Sequence, residues 1–273
     1  MKICGICDFR KKVSLGSLLL IINLIRINKI YKKKKSVLQI IVKKKLDKDI
    51  VNVAKSFDFI DKVELLSKIK INKNYFYFQN IKNNLISYKN QNSTVELQKY
   101  YKKYKFKNNL SFKKVLELKT VLNFNNKIKV AVHLKLDKKN RLGNARTNVW
   151  FNFFRKLEYS NTKFIMIGKD DYPRKFYNLK NLHIVSSQES LLRMLIISKK
   201  SDFFLGSASG ISAINMLNKK PYIIFKHPNH HPKIFKKELN NKKKLLFQTK
   251  NQLIINNFEN EKTLLKYYEQ FSK

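Results

Sequence analysis

Apolar residues along this chain fall into runs of two lengths, separated by lysine- and asparagine-rich punctuation. Residues 2–9 form a strand-length run, 15–31 a helix-length run and 37–42 a second strand, followed by a helical pattern over 48–57. Residues 74–79 read as one more strand, and 80–126 hold at most one or two short helices. The basic and aromatic alternation over 100–107 reads as a solvated face or hinge. From Lys127 the pattern is cleaner, with strands at 128–136, 164–167, 182–185, 203–205 and 222–225. Helices are expected at 147–157, 189–198, 211–217 and 261–271. Strands alternating with helices predict an α/β protein with parallel sheets. The expected division is an amino-terminal α/β domain, 1–126, and a carboxy-terminal one, 127–273.

The apolar run over 18–27 is broken by Asn23 and Arg26 and falls short of the roughly 20 residues that a membrane span requires. It predicts a core helix. No signal-peptide pattern follows it, so a cytoplasmic protein is expected. Trp150, Phe153 and Phe154 sit at helical spacing as core residues, and Ser186-x-x-Glu189 reads as a capping box.

The stretch 202–225 carries the most chemical information. It reads strand, small-residue turn, helix, strand, with Gly206-Ser-Ala-Ser-Gly210 as the turn. The first amides of a helix lack intrahelical partners and lie at the positive end of its dipole, which suits a phosphate. Ser207, Ser209 and Ser212 offer hydroxyls beside Gly210. The same turn also suits tight strand-to-helix packing. In a doubly wound sheet, ligands bind beyond the carboxyl ends of the strands. There the sequence places Lys135, Asp137, Arg141, Asn144 and Arg146 after one strand and Gly168, Lys169 and Asp170 after the next. Together with the serine turn they form a candidate cradle for a diphosphate.

With 273 residues, 43% of them hydrophobic, the chain can bury a substantial core. Its formal charge of +41 invites a nucleic-acid reading, yet only seven of the 59 basic residues are arginine and the lysines are scattered through every segment. No nucleic-acid partner is expected. The charge suits phosphorylated ligands and peripheral contact with an anionic membrane. Cys4 and Cys7 form a lone C-x-x-C with no second pair to complete a zinc site, and are expected to be buried and reduced. His227-Pro-Asn-His-His231 lacks a standard metal spacing and is expected to be a loop over the cleft.

Phe204-Leu-Gly-Ser-Ala-Ser-Gly210, followed by Lys220-Pro-Tyr-Ile-Ile-Phe225, resembles the corresponding segment of heptosyltransferase-like glycosyltransferases of the GT-B fold. The helix over 190–198 and Ser201-Asp-Phe-Phe204 resemble that family's approach segment. Phe164-Ile-Met-Ile-Gly-Lys-Asp170 is similar to its strand ending in glycine, and 130–138 is similar to a stretch of fucosyltransferases of the same fold. In the amino-terminal half, Leu15-Gly-Ser-Leu-Leu-Leu20 resembles the family's glycine-aspartate loop. The family's acidic residue in the turn is Ala208 here, and the histidine often found in the next helix is absent, with Ala213 nearby.

The resemblance implies two Rossmann-like halves, the amino-terminal one reduced. It implies transfer of a sugar, without metal or cofactor, from a nucleotide-sugar donor to a glycan or lipid-linked acceptor such as a cell-surface polysaccharide or glycolipid. Asp8, at the end of the first strand, and His133 are the candidate bases. Donor contacts fall to Lys135, Arg141, Asn144, Arg146, Gly168, Lys169, Ser207, Ser209, Gly210 and Ser212. The departure at Ala208 and the short amino-terminal half leave a non-catalytic binding protein as the second reading. A basic nucleic-acid-binding module is the third.

Overall fold

The computed structural model describes residues 1–10, 13–42, 48–82, 85–86, 93–107, 109–113, 127–138, 141–239 and 244–271. The amino-terminal sheet comprises β1 (Lys2–Asp8), β2 (Ser36–Ile41), β3 (Lys62–Leu66) and β4 (Tyr75–Tyr77), with α1 (Leu15–Lys32) and α2 (Lys48–Lys55) as crossovers. Its order is β3-β2-β1-β4, all parallel. A hairpin of β5 (Ile81–Lys82) and β6 (Leu85–Ile86) leads into α3 (Ser93–Tyr104).

The carboxy-terminal sheet comprises β7 (Ile128–His133), β8 (Thr162–Met166), β9 (Leu182–Ile184), β10 (Phe203–Ser207), β11 (Tyr222–Phe225) and β12 (Gln252–Ile255). Between and after these strands run α4 (Thr147–Lys156), α5 (Leu191–Lys200), α6 (Ala213–Met216), α7 (Pro232–Leu239) and α8 (Glu261–Glu269). The order β12-β11-β10-β7-β8-β9 is a doubly wound parallel sheet whose winding reverses between β7 and β10. The expected boundary at 126/127 adjoins residues 114–126, which lie outside the described residues.

Several elements differ from the sequence expectation. The second sheet has a sixth strand, β12, and α7 precedes it. Residues 100–104 are the last turn of α3 instead of a hinge: Tyr100, Tyr101 and Tyr104 pack on the core while Lys102 and Lys103 face water. The cap of α5 is Ser190, whose hydroxyl accepts from the Arg193 amide at 3.2 Å. Glu189 instead pairs with Arg193 at 3.0 Å, one turn along.

Alternation along the carboxy-terminal strands sorts side chains onto two faces. Ala131, Ile165 and Phe204 join a largely aliphatic cluster with α1, α5 and α6. Val130, Phe164, Phe203 and Leu205 join an aromatic cluster containing Trp150, Phe153, Phe154 and Tyr268 on the other face. The apolar run in α1 is explained by its place: it packs against β1, β2, α3 and α6 and buries Leu18, Leu19, Ile21, Ile22, Leu24, Ile25 and Ile27. Cys4 and Cys7 are free thiols on opposite faces of β1, in different clusters. Burial pushes both thiols well above their usual range.

Candidate functional site

A cleft of about 1120 Å³ lies between the start of α1 and the carboxyl ends of the second sheet. Ser14, Gly16, Ser17 and Leu20 line it from α1, and four connections line it from the other half. These are the loop after β7 (Lys135 to Lys138), the loop after β8 (Lys169 to Asp171), the turn after β10 (Ala208 to Ser212) and the loop after β11 (Lys226, His230, His231). This is where the reversal of winding directs a ligand.

The halves meet closely at its floor. A Cβ on Gly210 would lie 2.9 Å from the Leu15 Cβ, and one on Gly16 would lie 3.6 Å from the Gly210 Cα. Gly210 is thus used for packing against α1 as well as for opening the turn. The serine hydroxyls also differ from expectation. The Ser209 amide donates to Ser212 Oγ at 3.0 Å, the Ser212 amide donates to Ser209 Oγ at 3.2 Å, and Ser212 Oγ donates to the Ser209 carbonyl at 2.8 Å. The expected 211–217 helix is only the four residues of α6, which follow this pair. So short a helix has little dipole to offer. Ser207 ends β10 buried, and its hydroxyl has no hydrogen-bond partner among the described residues.

Lys135, Lys169, Ser209, Gly210 and Ser212 come together in the cleft, whereas Asp8, His133, Arg141, Asn144, Arg146, Gly168 and Ser207 are not among its lining residues. Asp8 is fully buried, and Arg10 holds both its oxygens at 2.8 Å. Asn144 spends its amide on the loop, accepting from the Asp137 amide at 2.9 Å and donating to the Asp137 carbonyl at 3.0 Å. Arg146 lies over the Phe258 ring, 4.4 Å from its centroid, and Arg141 is exposed.

His133 is buried, with Nε2 3.4 Å from Asp170. Burial by itself would raise the Asp170 carboxyl, but the His133 hydrogen bond and the Leu136 amide outweigh it and hold the group below its usual range. Gly168, at φ +136°, makes room for this pair, since a Cβ there would stand 2.8 Å from His133 Cδ2 and 2.6 Å from the Tyr172 hydroxyl.

Sequence reasoning missed Lys226, which follows β11 as Lys135 follows β7; applying the strand-end rule to the fifth strand would have found it. It also missed Asp49 on α2, which pairs with Lys169 at 2.7 Å and accepts from the Leu191 amide. Lys138 is closed in the same way by Asp171 at 2.5 Å. In contrast, Lys135 and Lys226 donate to the carbonyls of Leu142 and His230, at 3.2 and 2.8 Å. Among the described residues no three His, Cys, Asp or Glu side chains gather as a metal site.

The chain aligns end to end with solved glycosyltransferase structures. A family 9 glycosyl transferase from Veillonella parvula superposes with a TM-score of 0.68 at 7% identity, covering 99% of this chain and 96% of that one. The E. coli heptosyltransferase WaaC, crystallised with ADP-2-deoxy-2-fluoro heptose, gives 0.62 at 10% identity and 99% coverage of both chains. E. coli ADP-heptose lps heptosyltransferase II gives 0.62 at 8% identity, covering 99% and 98%. The fold is GT-B, of the heptosyltransferase type. At these identities the likeness is one of fold. No family profile matches the sequence, and no curated protein matches it significantly. No helix among the described residues is long and apolar enough to cross a membrane.

Proposed function

We propose that the protein is a glycosyltransferase that takes a sugar from a nucleotide-sugar donor bound in the cleft between its halves. The observation that carries this reading is the cleft itself: lysines from three strand ends and the amino end of α1 converge on it in a heptosyltransferase-type fold. The leaving diphosphate is stabilised by preorganised cationic donors at the strand ends, Lys135 first among them, and no metal is required. The acceptor is a glycan or lipid-linked sugar on the amino-terminal side, reached at the cytoplasmic face of an anionic membrane that the charge of +41 favours. Gly168, Asn144 and Ser207 serve by shaping the strand ends, and His133 by holding Asp170. Arg141 and Arg146, which do not line the cleft, are assigned no donor contact.

The non-catalytic reading has its own support in Ala208 and in the closure of Asp8 by Arg10. A thermal-shift panel of nucleoside diphosphates and nucleotide sugars, with and without EDTA, separates the two, because a ligand of the folded state raises its melting temperature. A selective, EDTA-insensitive shift with sugar release is expected. A shift without any turnover would leave a binding protein, and no shift at all would sink the donor site.

A further inference from the structure

Four of the five lysines that line the cleft fall into two classes. Lys138 and Lys169 are each closed by an aspartate. Lys135 and Lys226 donate to backbone carbonyls, that of His230 in the case of Lys226, whose ammonium also lies 5.2 Å from the Phe235 ring centroid. The His230 ring lies against His231, with centroids 4.3 Å apart and the planes tilted by 48°. It also packs against Gly143, where a Cβ would stand 3.2 Å from its Cγ. Gly143 adopts φ +88°, so this close approach requires glycine on two counts. The loop after β7 and the loop after β11 therefore bring one imidazole under the influence of two ammonium groups at the edge of the cleft.

We propose that Lys135, Lys226 and His230 together form an anion site that grips the diphosphate of the donor, and that His230 takes up a proton as the anion binds. This rests on the transferase reading and moves the phosphate contact from the serine turn, whose hydroxyls are committed to each other, to the histidine loop.

The charges facing His230 are those of Lys135, Lys226, His227 and His231; Glu238 on α7 acts on Lys226. In the free protein burial comes first, and repulsion from His231, Lys135 and Lys226 follows, holding the ring down to about 4. The ring is then neutral at pH 7. A diphosphate between the lysines removes that repulsion and favours the imidazolium, which adds a third charged donor to the anion. The bound state has the higher pKa, so affinity rises as pH falls through the bound value and levels off near the free value of about 4.

The test uses ADP-heptose, whose diester phosphates stay ionised over this range, with inorganic pyrophosphate as a second probe. Calorimetry at pH 5 to 8, in buffers of different ionisation enthalpy, should show proton uptake and, relative to pH 8, roughly tenfold tighter binding at pH 5 for each unit by which the bound value lies above 5. His230→Asn should bind more weakly than wild type at pH 5 and lose both the pH dependence and the uptake. In ligand-free protein, Lys226→Met should raise the His230 titration followed by NMR. Binding without uptake, or uptake that persists in His230→Asn, overturns this assignment alone. Pyrophosphate binding without ADP-heptose binding keeps the anion site and sinks the ADP-heptose donor, and failure of both probes overturns the transferase reading with it.

Discussion

The two sheets are wound alike, β3-β2-β1-β4 in one half and β9-β8-β7-β10 in the other, but their carboxyl ends present opposite chemistry. In the amino-terminal half β1 ends at Asp8, a buried carboxylate already gripped by the Arg10 fork. In the carboxy-terminal half the strand ends deliver Lys135, Lys169 and Lys226 into a cleft. Winding fixes where a crevice can form, and the side chains at the strand ends decide which half has something to bind. The cores differ too, largely aliphatic around α1 and aromatic beneath α4 and α8.

The largest way to break this comparison is Gly206→Val. A Cβ there would stand 2.3 Å from the His133 carbonyl oxygen, so β10 and β7 must separate; a loss of at least about 3 kcal/mol in urea unfolding is expected. Next come Trp150→Ala, expected to cost about 3–5 kcal/mol, and Ile22→Ala, about 2–5 kcal/mol. Because the α1 cluster spans both halves, each should shift one cooperative transition; two separate melting steps would show that the halves are independent.

Asp8→Asn leaves the Arg10 guanidinium without its carboxylate and should cost roughly 1–3 kcal/mol while nucleotide binding persists. Abolished turnover at unchanged stability would instead make Asp8 the base. Asp49→Ala frees Lys169 for an anion and should tighten nucleotide binding a few fold, measured by calorimetry; weaker binding would mean that the ion pair itself shapes the site.

The smallest effect is a pH term. Glu259 is buried, and burial raises its carboxyl above the ordinary value despite the opposing pull of its own backbone amide and of the Arg146 charge. A raised folded value contributes stability below the unfolded pKa that is lost as pH rises through the folded one. Glu259→Gln should therefore gain on wild type as pH climbs from 4 to 7. Asp170, held low by His133, runs the other way: its contribution is present above the unfolded value and lost as pH falls through the folded one.

Much of the fold was legible because its signals are local. The run over 15–31 announced α1, and the strands over 128–133 and 222–225 stood out between lysine-rich breaks. β3 and β12 were missed because they are short edge strands of five and four residues, whose three apolar positions each make too brief a run to stand out from their surroundings. The strand-end rule pointed to Lys135, Lys169 and the serine turn, all of which reach the cleft. It could not foresee that Ser209 and Ser212 satisfy each other, or that Arg10 closes Asp8, since both are matters of side-chain geometry. The Asp49 to Lys169 pair joins residues 120 positions apart and leaves no trace in local pattern.

A helix sheathed in hydrocarbon on nearly every side also limits how the gene can be cut. A fragment ending near residue 113 would display the α6-facing side of α1 to water, and the complementary fragment would lose the cover over α5 and α6. Split pieces of this chain should be insoluble alone and find each other when co-expressed. For the same reason, lobes exchanged with a distant relative would have to carry α1 and its partners along, so recombination within this architecture is constrained to whole chains.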